Sequence, residues 1–327
     1  MARRAGLVFV VLVAIATLAM AQEPSRLRVK VFPGFQNLPF FAAQSQSTFA
    51  RHGLTVDLQF TQTSGELRGG LAKGDFEIAH AGVDNAVAMV ETAGADVVVV
   101  MGGDNGMNEL FVQPSIASIS DLRGKTVIVD APNTAYALVL RKMLLVHGLK
   151  VGQDYTLKPV GGTFQRLDAM KDNPDYAASM LNPPFSTLAE RRGLKSLGTA
   201  VIVIGPYQAT AGFVRRSWAR ANAATLERYI AAYVEALRWV TAPQNQTAAV
   251  GLLVDRMKLA PDVAERVYEL ATGPGGLQPA ARLDPDGFRT VLALRAELEG
   301  QWGGQAPSPD RYLDLTYYER ALTTGRR

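Results

Sequence analysis

Leu54-Thr55-Val56-Asp57-Leu58-Gln59-Phe60 alternates apolar and polar side chains, the period of a half-buried strand. One hundred residues later, 155–160 holds the same place in a second round of the same order of elements. The first round reads strand 27–32, helix 38–51 stopped at Gly53, strand 54–60, a Thr/Ser/Gly loop, short helix 65–73, strand 76–80, helix 84–92 and an unbroken Val-rich strand 96–101. The second reads strand 125–130, helix 134–147, strand 155–160, a Gly-Gly-Thr loop, helix 164–171, strand 176–181 and helix 183–192, with 194–204 closing the series. Shifted by 100, Phe60 falls on Val160, Glu66 on Arg166 and Asp75-Phe76 on Asp175-Tyr176. Identities are few, but the repeated order predicts two α/β lobes, each a mostly parallel sheet with flanking helices.

From Ser217 onward the periodicity is helical, over 222–241, 246–257, 261–271, 285–301 and 309–322, with Pro or Gly between the segments. Such a tail must lie on a lobe to bury its apolar stripes. The expected division is 22–107 with 206–327 as lobe one, carrying the C-terminal helices, and 108–205 as lobe two. The first twenty-one residues read as a secretory signal: Arg3-Arg4, an apolar run from Leu7 to Met20, and Ala19-Met20-Ala21 before the cut. An uncleaved anchor is the rival, but the apolar part is short for a span.

The balance of 34 Lys+Arg against 30 Asp+Glu, with no basic block, leaves nothing to track a nucleic-acid backbone. Cysteine is absent, which excludes disulfides, thiolate metal sites, iron–sulfur clusters and a Cys nucleophile. The three histidines, at 52, 80 and 147, are scattered. No metal or cofactor is expected: 104–109 has calcium-type oxygens at the wrong spacing, and 273–276 lacks the Gly-Lys-Ser/Thr of a phosphate loop.

In open α/β sheets, ligands sit beyond the carboxyl ends of the strands. There lobe one places Gly34, Phe35 and Asn37, then Ser64 and Gly65, then Gly82, Asp84 and Asn85. Lobe two places Asn133, Thr134 and Tyr136, then Gly162 and Thr163, then Asn182 and Phe185. These are the candidate ligand-binding residues. Asn37 and Asn182 read as N-caps, the latter with Pro183 at the first helical position. For any single residue, ordinary helix capping explains the side chain; the glycines argue for close approach by another molecule. Helix N-termini favour an anion, with Arg166 as a partner; Glu66, Asp84 and Asp130 argue the other way. Phe35, Tyr136, Phe164 and Phe185 offer ring contacts.

Several segments together resemble the solute-binding proteins of ABC importers, in the branch of nitrate, sulfonate, taurine and thiamine-pyrimidine-precursor binders. They are Gly53 to Leu58, Gly65-Glu66-Leu67, Leu71 to Ala79, Asp121-Leu122-Arg123-Gly124-Lys125-Thr126-Val127, Asp130 to Tyr136 and Asn182-Pro183-Pro184. The resemblance implies a periplasmic, two-lobed clamshell of the type II periplasmic-binding-protein class. It further implies a small organic solute between the lobes, no catalysis, and delivery to an inner-membrane permease. A monomer is expected. A secreted enzyme on the same scaffold, or a solute-sensing receptor domain, are the other readings; relatives of this fold that make a pyrimidine use a Cys-rich motif that this chain lacks.

Overall fold

The computed structural model describes residues 23–106 and 108–324, so the expected signal segment lies outside the described residues. The strands are β1 (Ser25–Val31), β2 (Leu54–Phe60), β3 (Ile78–Gly82), β4 (Val97–Gly102) and β5 (Glu109–Val112). They continue with β6 (Thr126–Val129), β7 (Thr156–Pro159), β8 (Tyr176–Leu181), β9 (Lys195–Thr199) and β10 (Thr210–Arg215). Two five-stranded sheets result, ordered β2-β1-β3-β10-β4 and β7-β6-β8-β5-β9. The orders correspond strand for strand, and in each sheet four strands run one way. The exception is an antiparallel strand, β10 or β5, inserted one place from the edge. Each inserted strand belongs by sequence next to the other sheet, so the chain crosses between sheets after β4 and again before β10.

The helices are α1 (Leu38–Ser45), α2 (Thr48–Arg51), α3 (Ser64–Lys73), α4 (Asp84–Ala93), α5 (Ala135–Val146), α6 (Thr163–Asp172) and α7 (Phe185–Arg191). Next come α8 (Ala200–Ile204), α9 (Arg216–Ala221), α10 (Ala223–Thr241), α11 (Gln246–Met257), α12 (Pro261–Thr272), α13 (Pro285–Glu299) and α14 (Thr316–Thr324). Local chemistry sets their ends. The Thr63 hydroxyl caps α3 by accepting the Glu66 N–H, and Gly74 at φ 84° stops it. Asp284 accepts the N–H groups of Asp286 and Gly287 at the head of α13, with Pro285 in the first turn.

Several elements differ from the sequence reading. The helix expected over 38–51 is two, because Ser47 takes a left-handed conformation at φ 55° between α1 and α2. The segment 194–204 that closes the series is strand β9 followed by helix α8. The helix expected from 183 begins at Phe185: a residue before proline is pushed out of the helical region, so Pro183, preceding Pro184, cannot open it. The last segment is a single 3-10 turn, Pro309–Arg311, and then α14.

Strand β4 is buried on both faces, as its unbroken apolar run requires. The tail helix α10 packs on α1 and α14 over the first sheet. Other tail helices reach the second lobe: α13 lies against α5, where Arg141 pairs with Glu299 and Lys142 with Glu297, and Arg191 of α7 pairs with Asp262 of α12. No helix among the described residues is long and apolar enough to cross a membrane.

Candidate functional site between the lobes

The parallel strands β1, β2 and β3 of one sheet, and β6, β7 and β8 of the other, end toward each other. The loops beyond them enclose one cavity of about 910 Å3, its open mouth included. Phe35, Gln36, Thr61, Gln62, Ser64, Gly82 and Asn85 line it from the first lobe. Asp130, Thr134, Tyr136, Gly162, Thr163, Phe164, Arg166, Asn182 and Phe185 line it from the second. Asp104, Asn108, Tyr207 and Thr210, on or beside the crossing segments, form the rest of the wall. The lobes touch over the cavity: the Phe35 N–H donates to the Pro183 carbonyl at 3.2 Å. A Cβ placed on Gly162 would lie 3.1 Å from the Gln62 carbonyl oxygen.

Ten of the fifteen residues picked from sequence line this cavity: Phe35, Ser64, Gly82, Asn85, Thr134, Tyr136, Gly162, Thr163, Asn182 and Phe185. Five do not. Gly34 lies under the Gln36 amide, where a Cβ would strike it. Asn37 turns inward and its Nδ2 donates to the Phe32 carbonyl at 2.8 Å, so it ties the β1–α1 loop rather than capping the helix with its side chain. Gly65 is exposed on α3. Asn133 is exposed, and only its carbonyl is engaged, by Arg295. Asp84 is buried in a pair with Arg295, Nη2 to Oδ2 at 2.8 Å. Burial pulls the Arg295 guanidinium down, but the Asp84 charge and hydrogen bond more than offset it and hold it above its ordinary range.

Asn182, expected as an N-cap, serves the cavity instead: its Oδ1 accepts the Tyr136 hydroxyl at 3.1 Å. Arg166, expected to be free for an anion, is fully buried and held by the chain. Its Nε donates to Ser179 Oγ (2.9 Å) and its Nη1 to the Gly161 carbonyl (2.7 Å). Its Nη2 donates to Thr163 Oγ1 (3.2 Å) and the Met180 carbonyl (3.0 Å), and the guanidinium lies 4.8 Å from the Tyr136 ring centre. Burial lowers its pKa, while Asp130 and Tyr136 work the other way. Burial also raises the Tyr136 phenol, to about 12.

Sequence reading passed over Gln36, Tyr207 and Thr210, and weighed Asp104 and Asn108 only among calcium-type oxygens at the wrong spacing. Asp104 is a wall residue whose carboxylate accepts the Thr210 hydroxyl and the Gly106 N–H. Burial pushes the carboxyls of Asp104 and Asp130 up, against the Thr210 hydrogen bond for the first and the Arg166 charge for the second. Glu66, also counted among possible cleft acids, accepts the Thr61 hydroxyl at 2.7 Å and pairs with Lys30 at 2.9 Å. His80 is a core residue, edge-on to Phe40 at 5.2 Å and tilted on Tyr233 at 4.8 Å, and burial lowers its pKa to about 4. Among the described residues, no group of three or more acids and histidines stands where a metal ion would be held.

A sequence model described as the NMT1-like family matches residues 20–254. No curated protein sequence matches the chain. Among solved structures, the chain is similar to a protein of Bordetella bronchiseptica RB50, with TM-score 0.78 and 19% identity over 93% of this chain and 99% of that one. It is also similar to the periplasmic nitrate-binding protein NrtA of Synechocystis PCC 6803 (TM-score 0.75, 14% identity, 92% and 89% covered). The periplasmic aliphatic sulphonate binding protein SsuA of Escherichia coli is a third (TM-score 0.71, 16% identity, 90% and 99% covered). At such identities the likeness establishes a shared two-lobed fold.

Proposed function

Because the chain belongs to the NMT1-like family, we propose that it is the extracytoplasmic solute-binding component of an ABC importer. It would bind a small organic solute between its lobes, without turnover, and present the closed form to a membrane permease. The observation that carries this reading is a cavity lined by both lobes and bridged above by main chain, Phe35 to Pro183. A solute touching both walls stabilises the closed arrangement over any open one, so closure is the population shift that binding drives. The nitrate- and sulphonate-binding functions of the fold neighbours support the class of activity. Asp104 and Asp130 each accept a threonine hydroxyl, of Thr210 and Thr134, and it is the binding activity of the named fold neighbours that favours binding over turnover.

The chain is expected to be exported and cut after Ala21; N-terminal sequencing of the periplasmic protein then starts at Gln22, and a chain starting at Met1 in the membrane fraction overturns export. For binding, the solute recovered after incubation should be chemically unchanged. Its addition should reduce the radius of gyration in small-angle scattering. Product that accumulates with time overturns the reading in favour of an enzyme, and an unchanged radius overturns closure.

A further inference from the structure

The lobes meet along two flanks, and the two are built differently. On one, α13 of the C-terminal tail lies on α5 of the second lobe. Leu138 and Met143 of α5 share one buried apolar cluster with Phe288 and Leu292 of α13, and the cluster takes in Val99 of the first sheet and Val112 of the second. Polar contacts fasten the same seam. Arg295, fully buried, donates to Asp84 of the first lobe at 2.8 Å and to the Asn133 carbonyl of the second at 3.1 Å. Arg141 Nη2 donates to the Leu298 carbonyl at 2.8 Å. Parting α13 from α5 would bring water onto these apolar side chains and take the Asn133 carbonyl from a buried guanidinium, so this seam resists opening.

On the other flank the packing is divided. Val263 and Val267 of α12 belong to the core of the first lobe, while Phe185 and Ala189 of α7 belong to a separate core of the second. Leu188 of α7, half-buried, touches both. The turn that starts at Phe35 packs on α12, and its N–H reaches the Pro183 carbonyl two residues before α7. The charged contact here is Arg191 with Asp262, whose side chains are 44% and 67% exposed. A pair so exposed holds weakly beside a shared core, and salt screens it.

We propose that the cleft opens along the α7–α12 flank alone, with α13 and α5 kept together as a third hinge element beside the two crossing segments. Arg191–Asp262 is then a latch that biases the chain toward the shut form before any solute arrives. The inference rests on the two-lobed binding reading and deepens it. The apparent affinity for a solute that needs the shut form scales with the fraction of chains already shut, so the latch sets part of that affinity without touching the solute.

The chain has no cysteine, so a pair of introduced cysteines carries spin labels at chosen sites only. Labels at Glu190→Cys and Glu265→Cys read the α7–α12 flank, and labels at Val146→Cys and Ala293→Cys read the α5–α13 seam; all four positions are exposed. Pulsed electron resonance gives both distances on the unliganded mature chain. Arg191→Asp is expected to lengthen the 190–265 distance, the shut-to-open ratio falling about 2- to 10-fold, and to leave the 146–293 distance in place. Arg191→Asp with Asp262→Arg rebuilds the pair in reverse and should return the wild-type distance. Glu299→Lys makes the same kind of reversal against Arg141 on the other flank; both distances are expected to stay, because the shared core holds there without the pair. A 146–293 distance that lengthens in any variant overturns α13 as a hinge element. A 190–265 distance unchanged by Arg191→Asp, or not restored by the swap, overturns the latch. No solute enters these measurements, so their failure leaves solute binding standing, and a failure to find a solute leaves the two distances to decide the inference.

Discussion

The backbone N–H of Phe35 lies 3.2 Å from the carbonyl oxygen of Pro183, a hydrogen bond between loops that belong to different sheets. Main-chain contact of this kind does not depend on side-chain rotamers. It fixes how near the β1–α1 loop and the β8–α7 loop come when the cleft is shut, and the close approach of Gly162 to Gln62 marks a second such point.

That second contact supplies a test of closure. Gly162 sits at φ −59°, ordinary for any residue, so a side chain there meets resistance only from the facing Gln62 carbonyl, 3.1 Å from the Cβ. Gly162→Val is expected to leave unliganded melting near wild type. Solute affinity should fall about 5- to 150-fold, the cost of overpacking a close contact by roughly 1–3 kcal/mol. Scattering should show the saturated variant staying more open than wild type. Equal affinity and equal compaction would refute closure at this point.

The Asp84–Arg295 pair fastens the C-terminal helix α13 to the first lobe, and through the Asn133 carbonyl (3.1 Å) to the second. Arg295→Met is expected to lose about 3–5 kcal/mol, because the Asp84 charge stays buried alone. Asp84→Leu with Arg295→Met removes both charges and should recover most of that loss. Urea denaturation of the three proteins decides; additive losses in the double variant would mean that the pair is not coupled.

Protonation of His80 should destabilise the fold. Its folded pKa, about 4, lies below the ordinary 6.5, so between those values the unfolded chain binds more protons and stability rises with pH. The contribution is complete above about pH 6.5 and is lost as pH falls toward 4, worth about 3 kcal/mol. Asp104 and Asp130, raised by burial, carry the opposite sign and lose stability as pH rises. The measurement is therefore a difference: urea midpoints from pH 4 to 7 for wild type and His80→Gln. The wild type should have the steeper rise with pH, and parallel curves would remove His80 as the cause.

The two-lobed order was readable because half-buried strands such as β2 alternate, and because caps and glycines mark where helices start and stop. Strands β5 and β10 were not readable. They are four and six residues long and mostly buried, so they show no alternation, and their partners lie far off in sequence: Glu109 pairs with Leu181, and Thr210 with Gly82. Missing them hid Asp104, Tyr207 and Thr210 as cavity wall. The strand-end rule located the loops correctly but does not say which way each side chain turns. Asp84 turns into the core because Arg295, 211 residues away, meets it there. Asn133 turns to solvent because its backbone, not its side chain, is what Arg295 binds.

Asn133 and Thr163 now divide where the sequence set them together as candidate ligand contacts. The Asn133 side chain is exposed outside the cavity lining, so Asn133→Ala is expected to leave affinity within about twofold and stability within about 0.5 kcal/mol, as for a surface substitution. Thr163 lines the cavity with its hydroxyl on Arg166 Nη2 at 3.2 Å. It is the first residue of α6, with Gly162 in the capping position, so its loss should not act through a cap. Thr163→Ala removes one acceptor from a buried guanidinium and one polar group from the wall. Unliganded stability should fall by about 1 kcal/mol, and solute affinity about 5- to 150-fold. Calorimetry and unliganded denaturation on both variants form a matched pair with Asn133→Ala as the internal control. Equal affinities for the two would show that the cavity wall at Thr163 does not meet the solute.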